Sequence, residues 1–166
     1  MPGHDRTMMK SLGRMIAGFG IATTAVGGAG AMMLPPLGLW QGEYTCAQGK
    51  TGLALQITAL SPTTVRAVFY FHALASNPGV PQGCFAMRGH FDAATRHLTL
   101  SPTRWLAQPP FYVWTGLSGT VERDGSGLTG TIEGPACTDF ALTPSAALPV
   151  PPAPASCRMD QNGPTV

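Results

Sequence analysis

The chain has 166 residues, 44% of them hydrophobic and only 11% charged, enough for one domain with a substantial core. Its formal charge of +2 lies entirely before residue 32, where Arg6, Lys10 and Arg14 face Asp5 alone. From Met32 onward Lys and Arg balance Asp and Glu, so that part projects no long-range field toward a phosphate backbone, which argues against nucleic acid as a partner.

The opening stretch has the three zones of a secretory signal. Basic residues come first, then the apolar run Met15 to Val26, then small residues ending Ala29-Gly30-Ala31. This pattern predicts a signal peptide over 1–31, cleaved after Ala31, and a periplasmic or secreted product. Met8 or Met9 as the start would give a more compact signal. If retained, Met15 to Leu34 would be about the ~20 residues a spanning helix needs, though its glycines and threonines suit an anchor poorly. Membrane association is expected only in that case. No cysteine stands at the cleavage point to carry a lipid.

Residues 32–143 read as a β domain. Trp40 and Tyr44 lead to Cys46, the chain turns at Gln48-Gly49-Lys50, and Leu53, Leu55 and Ile57 return with period two. Val65, Ala67, Phe69 and Phe71 alternate with Arg66, Val68, Tyr70 and His72. After the loop from Ser76 to Gly83, Phe85, Met87 and Phe91 alternate with Arg88 and His90. A short strand is predicted from His97 to Leu100, ending at Ser101-Pro102, with an aromatic loop from Arg104 to Phe111. Val113, Thr115, Leu117, Gly119 and Val121 then alternate into a hairpin turn at Asp124-Gly125. Leu128 to Glu133 and Thr138 to Leu142 complete about eight strands. The fold class is all-β, a small antiparallel barrel of the up-and-down, lipocalin-like kind, with a sandwich as the other architecture of this spacing.

From 144 to 166 the composition turns to proline and alanine without apolar periodicity, and a disordered tail is expected. In an exported chain Cys46, Cys84, Cys137 and Cys157 are disulfide candidates, and none has the Cys-x-x-Cys spacing of a zinc or thiol-redox site. Four cysteines allow three pairings. Cys46 with Cys137 is favoured, because one ends the first strand and the other begins the last, which meet if the barrel closes. Cys137 has the opposite parity to Phe140 and Leu142, so this bond requires a bulge or an irregular strand end. Cys157 is left either to pair with Cys84 or to stay a free thiol.

The opening Tyr44-Thr-Cys46-Ala-Gln-Gly49, with a late cysteine at Cys137, resembles the bacterial periplasmic inhibitors of C-type lysozyme, which are small eight-stranded barrels with a disulfide between those two positions. Their Ser-Gly-x-x-Tyr inhibitory loop is not found here: Gly116-Leu-Ser-Gly119 falls in a strand and lacks the tyrosine. Leu37-Gly-Leu-Trp40 is similar to the Gly-x-Trp opening of lipocalin-like barrels and of bacterial metalloprotease inhibitors, in which the tryptophan closes one end of the core. The two resemblances imply the same architecture and different partners.

No nucleophile elbow and no pair of carboxylates placed for acid/base work stands out, so no catalytic residue is assigned and a non-catalytic protein is expected. His72, His90 and His97 lie on successive strands and are the one candidate metal set; polar-out alternation favours a solvated face, and neither metal nor cofactor is expected. Recognition is instead assigned to aromatic surface. Arg104, Trp105, Phe111, Tyr112 and Trp114 surround a Pro-Pro loop, and Trp, Tyr and Arg are the types that carry interface energy. The competing structural role for Trp105 and Phe111 is to fold inward and cap the barrel. Asn77, in the second Pro/Gly loop, is added as a weaker candidate. The function expected is an exported binding module with a protein partner, acting as an enzyme inhibitor by loop occlusion; a carrier of small hydrophobic ligands is the alternative, and a histidine-centred metalloenzyme ranks third.

Overall fold

The computed structural model describes residues 33–158. The expected signal peptide over 1–31 and the last eight residues of the expected tail lie outside them. Among the described residues the chain makes eight strands: β1 (Gly38–Cys46), β2 (Gly49–Ala59), β3 (Thr64–His72), β4 (Gly83–Asp92), β5 (His97–Ala107), β6 (Gly116–Val121), β7 (Leu128–Glu133) and β8 (Asp139–Pro144). Each pairs antiparallel with its successor, and β8 returns to β1, so the sheet is a closed barrel.

Period-two alternation sends one set of side chains to the barrel axis. Leu53, Leu55 and Ile57 of β2, Val65, Phe69 and Phe71 of β3, Phe85, Met87 and Phe91 of β4, and Phe140 and Leu142 of β8 are all buried in one cluster. Phe69 sits at its centre, stacked on Phe85 at 4.7 Å and meeting Tyr44 edge-on at 5.3 Å. Trp40 closes the far end, its indole nitrogen donating to the Pro36 carbonyl at 2.9 Å. The aromatic filling makes the barrel axis a packed core.

Cys46 and Cys137 form the expected disulfide. The parity conflict is resolved outside the strands: β8 begins only at Asp139, and Cys137 sits in a turn where its amide donates to Gly134 and Ala136 has φ 51°. Cys84 pairs with Cys157.

Two stretches differ from the sequence-based expectation. β5 does not stop at Ser101-Pro102 but continues to Ala107. It pairs with β6 only from His97 to Leu100, so its second half has a neighbour on one side alone, where a proline lacking an N–H is tolerated. Register shifts against β4 absorb the irregularity, and the Thr103 hydroxyl donates to the Ala86 carbonyl. The Pro/Ala-rich segment expected to be disordered from 144 onward is instead, as far as Arg158, laid along the outside of the barrel as a strap. It is held by Tyr70, whose hydroxyl donates to the Pro151 carbonyl at 3.0 Å, by a short 3-10 turn over Ala155–Cys157, and by the Cys84 disulfide.

Candidate binding surface at the barrel mouth

Before Gly116, where β6 begins, the second half of β5 has no β6 partner, and residues 108–115 make the connection between the two strands. This loop is braced from within: the Gln108 side chain donates to the Tyr112 carbonyl at 3.0 Å, and the Tyr112 amide to Pro109 at 3.3 Å. Pro109 is buried over Gly83 and Phe71. Val113, expected to point inward at the start of a strand, lies in this loop and is exposed, because no strand pairs with residues 108–115 to enforce alternation.

The six residues singled out from the sequence divide sharply. Trp105 is on β5, not in the loop, and half-buried: it meets Phe85 edge-on at 5.1 Å and Phe71 at 6.4 Å. Tyr112 stacks on Phe71 at 5.3 Å. These two cap the core. Phe111 does the opposite, with a relative exposure of 104% and a φ of 66°, a left-handed conformation that costs a residue with a Cβ about 1–2 kcal/mol. Val113 and Trp114 follow it at the surface, Trp114 stacking on Trp105 at 6.4 Å with 9° between planes. Arg104 is exposed on β5.

Asn77 belongs to neither group. Its side-chain amide donates to the carbonyls of Gln48 at 2.7 Å and Lys50 at 3.0 Å, bracketing the β1–β2 turn in which Gly49 takes φ 86°. It is a structural brace for that turn.

Beneath the loop is a cavity of about 370 Å³ lined by Tyr44, Gln48, Phe69, Phe71, Tyr112 and Cys137, among others. Burial holds the Tyr44 hydroxyl well above its ordinary pKa, against the lowering effect of hydrogen bonds with Thr51 and Gln48. Gln48 donates to the Tyr44 hydroxyl at 3.0 Å. Tyr44 had a sequence signal as a strand residue, but nothing local marked it as the polar group of a mouth cavity.

The three histidines do not converge. The β3–β4 register places Thr64 opposite His90, so His72 and His90 share an outer face but stand at opposite ends of the hairpin, eight residues apart along β3. Eight residues of strand span roughly 27 Å. His72 is buried and its Nδ1 donates to the Ala73 carbonyl at 2.8 Å, while His97 contacts Ser118 and Thr120. Among the described residues no group of three or more His, Cys, Asp or Glu is placed to hold a metal ion. No family model, no curated protein and no solved structure matches this chain.

Proposed function

We propose that this protein is an exported, non-catalytic binding module that engages a partner protein through the tip of the 108–115 loop. The observation that carries this is Phe111, a large apolar side chain fully in solvent on a left-handed backbone. Folding alone gives no reason to hold an aromatic residue there, at a cost in both hydration and backbone energy. A partner with an apolar cleft supplies one. Trp105 and Tyr112 anchor the base of the loop to the core, so the tip is presented with little entropy left to lose on binding, as occlusion of an enzyme cleft requires. Two disulfides suit an oxidising compartment, and no helix among the described residues is long and apolar enough to cross a membrane.

The binding role is tested by affinity capture from an envelope extract with the wild-type chain and Phe111→Gly side by side. A stoichiometric partner captured by the first and lost by the second supports it; equal capture by both, or none, removes it. The inhibitor form is tested by titrating the chain against a C-type lysozyme and, separately, a secreted metalloprotease. Loss of either activity, reversed by Phe111→Gly, identifies the target class.

The mouth cavity favours a second use, uptake of a small apolar ligand in the manner of a carrier. A solvatochromic dye that brightens with wild type and not with Tyr112→Trp, which would fill the space, marks that outcome.

A further inference from the structure

On the opposite side of the barrel wall from the core lies a second groove, of about 480 Å³, between the outer face of β1–β3 and the strap formed by residues 148–158. Its volume is within the range of about 300–1,000 Å³ typical of small-molecule sites. Leu39, Ala54 and Val68 supply an apolar floor, and Leu148 and Pro149 an apolar far wall. Polar-out alternation would put none of this on an outer surface unless something covered it.

One group in the groove is incomplete. The Nε of Arg66 is buried and has no hydrogen-bond partner among the described residues. Among the described residues no Asp or Glu lines the groove, and Arg158 adds a second cation at its edge. Across the sheet Arg66 stands beside Arg88, so its neighbour in register repeats its charge. Among the described residues the one ion pair is Lys50 with Glu43, on another part of the wall. A buried guanidinium N–H without an acceptor is costly, and an anionic oxygen is the acceptor it suits best.

We propose that this groove binds an unbranched alkyl carboxylate, its head on Arg66 and its tail along Val68, Ala54 and Leu148. Among the described residues the one buried, unpartnered side-chain N–H is that of Arg66, and Leu39, Ala54, Val68, Leu148 and Pro149 give an apolar run beside it, which fits a small anionic head carrying a hydrocarbon chain. The strap is the lid: Cys84–Cys157 fixes its end and Tyr70 its middle, so the groove is preformed in the disulfide-bonded protein. This site is separate from the Phe111 surface, and either assignment can fail without the other.

The test uses the full disulfide-intact chain and decanoate below its micelle concentration, followed by calorimetry and amide NMR. Decanoate is expected to saturate at one per chain and to shift the amides of Ala54, Arg66, Val68 and Leu148. Decanol is expected to bind at least about tenfold more weakly, the equivalent of one charge-assisted hydrogen bond. Arg66→Gln should lose decanoate affinity by a similar factor with its NMR dispersion unchanged, Arg66→Lys should fall between, and Arg123→Gln in the β6–β7 turn should bind as wild type. Equal affinity for decanol and decanoate, an unaffected Arg66→Gln, or shifts confined to Tyr44 and Tyr112 would overturn the proposal. So would binding seen only in a chain ended at Arg158, which would mean that later residues of the chain take the groove themselves. N-acetyl-leucyl-valine with a free carboxylate distinguishes a peptide end: tighter binding than decanoate would replace the alkyl chain as the ligand.

Discussion

The Tyr70 hydroxyl on β3 donates to the carbonyl of Pro151, 81 residues later, and is the main hydrogen bond between the barrel wall and the middle of the strap. Tyr70→Phe keeps the ring and removes the donor. The expected loss is about 1 kcal/mol, felt by the strap before the barrel. Hydrogen exchange should quicken over residues 148–158 while β3 keeps its protection; uniform loss of protection would show that strap and barrel open as one unit.

The two disulfides should be unequal in their effect on the barrel. Cys46–Cys137 ties the first strand to the turn before the last, across 91 residues, and replacing both cysteines with alanine is expected to cost about 3–5 kcal/mol in a denaturant titration. Replacing Cys84 and Cys157 should release the strap and change the barrel's midpoint much less, since no strand lies beyond Pro144 among the described residues. Equal losses would contradict this division.

Gly52 and His72 are paired across β2 and β3, and a Cβ added at Gly52 would lie 2.7 Å from both ring nitrogens of His72. The ring is held by its bond to the Ala73 carbonyl and cannot move freely. Gly52→Ala should therefore destabilise the protein by about 1–3 kcal/mol. Combined with His72→Ala, the loss should be smaller than the sum of the two, as a thermal or urea melt of the double variant would show.

Alkaline pH should weaken the fold through Tyr44. Its folded pKa is raised above the ordinary 10.0 chiefly by burial, so the unfolded chain gives up this proton first. The associated stability is fully present below pH 10 and drains away as pH rises beyond it. Urea midpoints measured from pH 8 to 11 should fall at the upper end, and Tyr44→Phe should flatten that fall. A slope unchanged in the variant would assign the effect elsewhere.

Phe111→Gly should separate folding from binding. A glycine at φ 66° is unstrained, and the phenyl ring buries nothing in the free protein, so the unfolding free energy from a urea titration should equal or exceed that of wild type by up to about 1 kcal/mol. A clear drop in stability would mean that the ring packs in the free protein and would weaken the case for Phe111 as a contact residue.

The barrel was readable because its core obeys period two over most of its length: Leu53 to Ile57, Val65 to Phe71 and Phe85 to Phe91 each point where alternation puts them. The Cys46–Cys137 bond followed from closure of the first and last strands. What escaped notice depends on distant partners. Pro102 looks like a strand end unless one knows that β6 stops short of it, and residues 144–158 look unstructured because their order comes from Tyr70 and Cys84, not from any pattern of their own. His72 and His90 looked close because face was legible and height was not: antiparallel pairing sends the two ends of a hairpin apart. Within the aromatic group, residue type could not separate Trp105 and Tyr112, which pack against the core, from Phe111 and Trp114, which face outward.

The disulfides lie on opposite faces of the same sheet, Cys46 in the barrel core and Cys84 with Cys157 in the outer cluster beside Val68 and Tyr70. In chain order Cys46 and Cys84 both precede Cys137 and Cys157, the partners they take in the folded protein. Once β1 to β4 have paired as a curved sheet, those two thiols are separated by the sheet itself. Facing therefore excludes a Cys46–Cys84 bond from any state in which β1 to β4 hold their native pairing, whatever the order in which the thiols are oxidised.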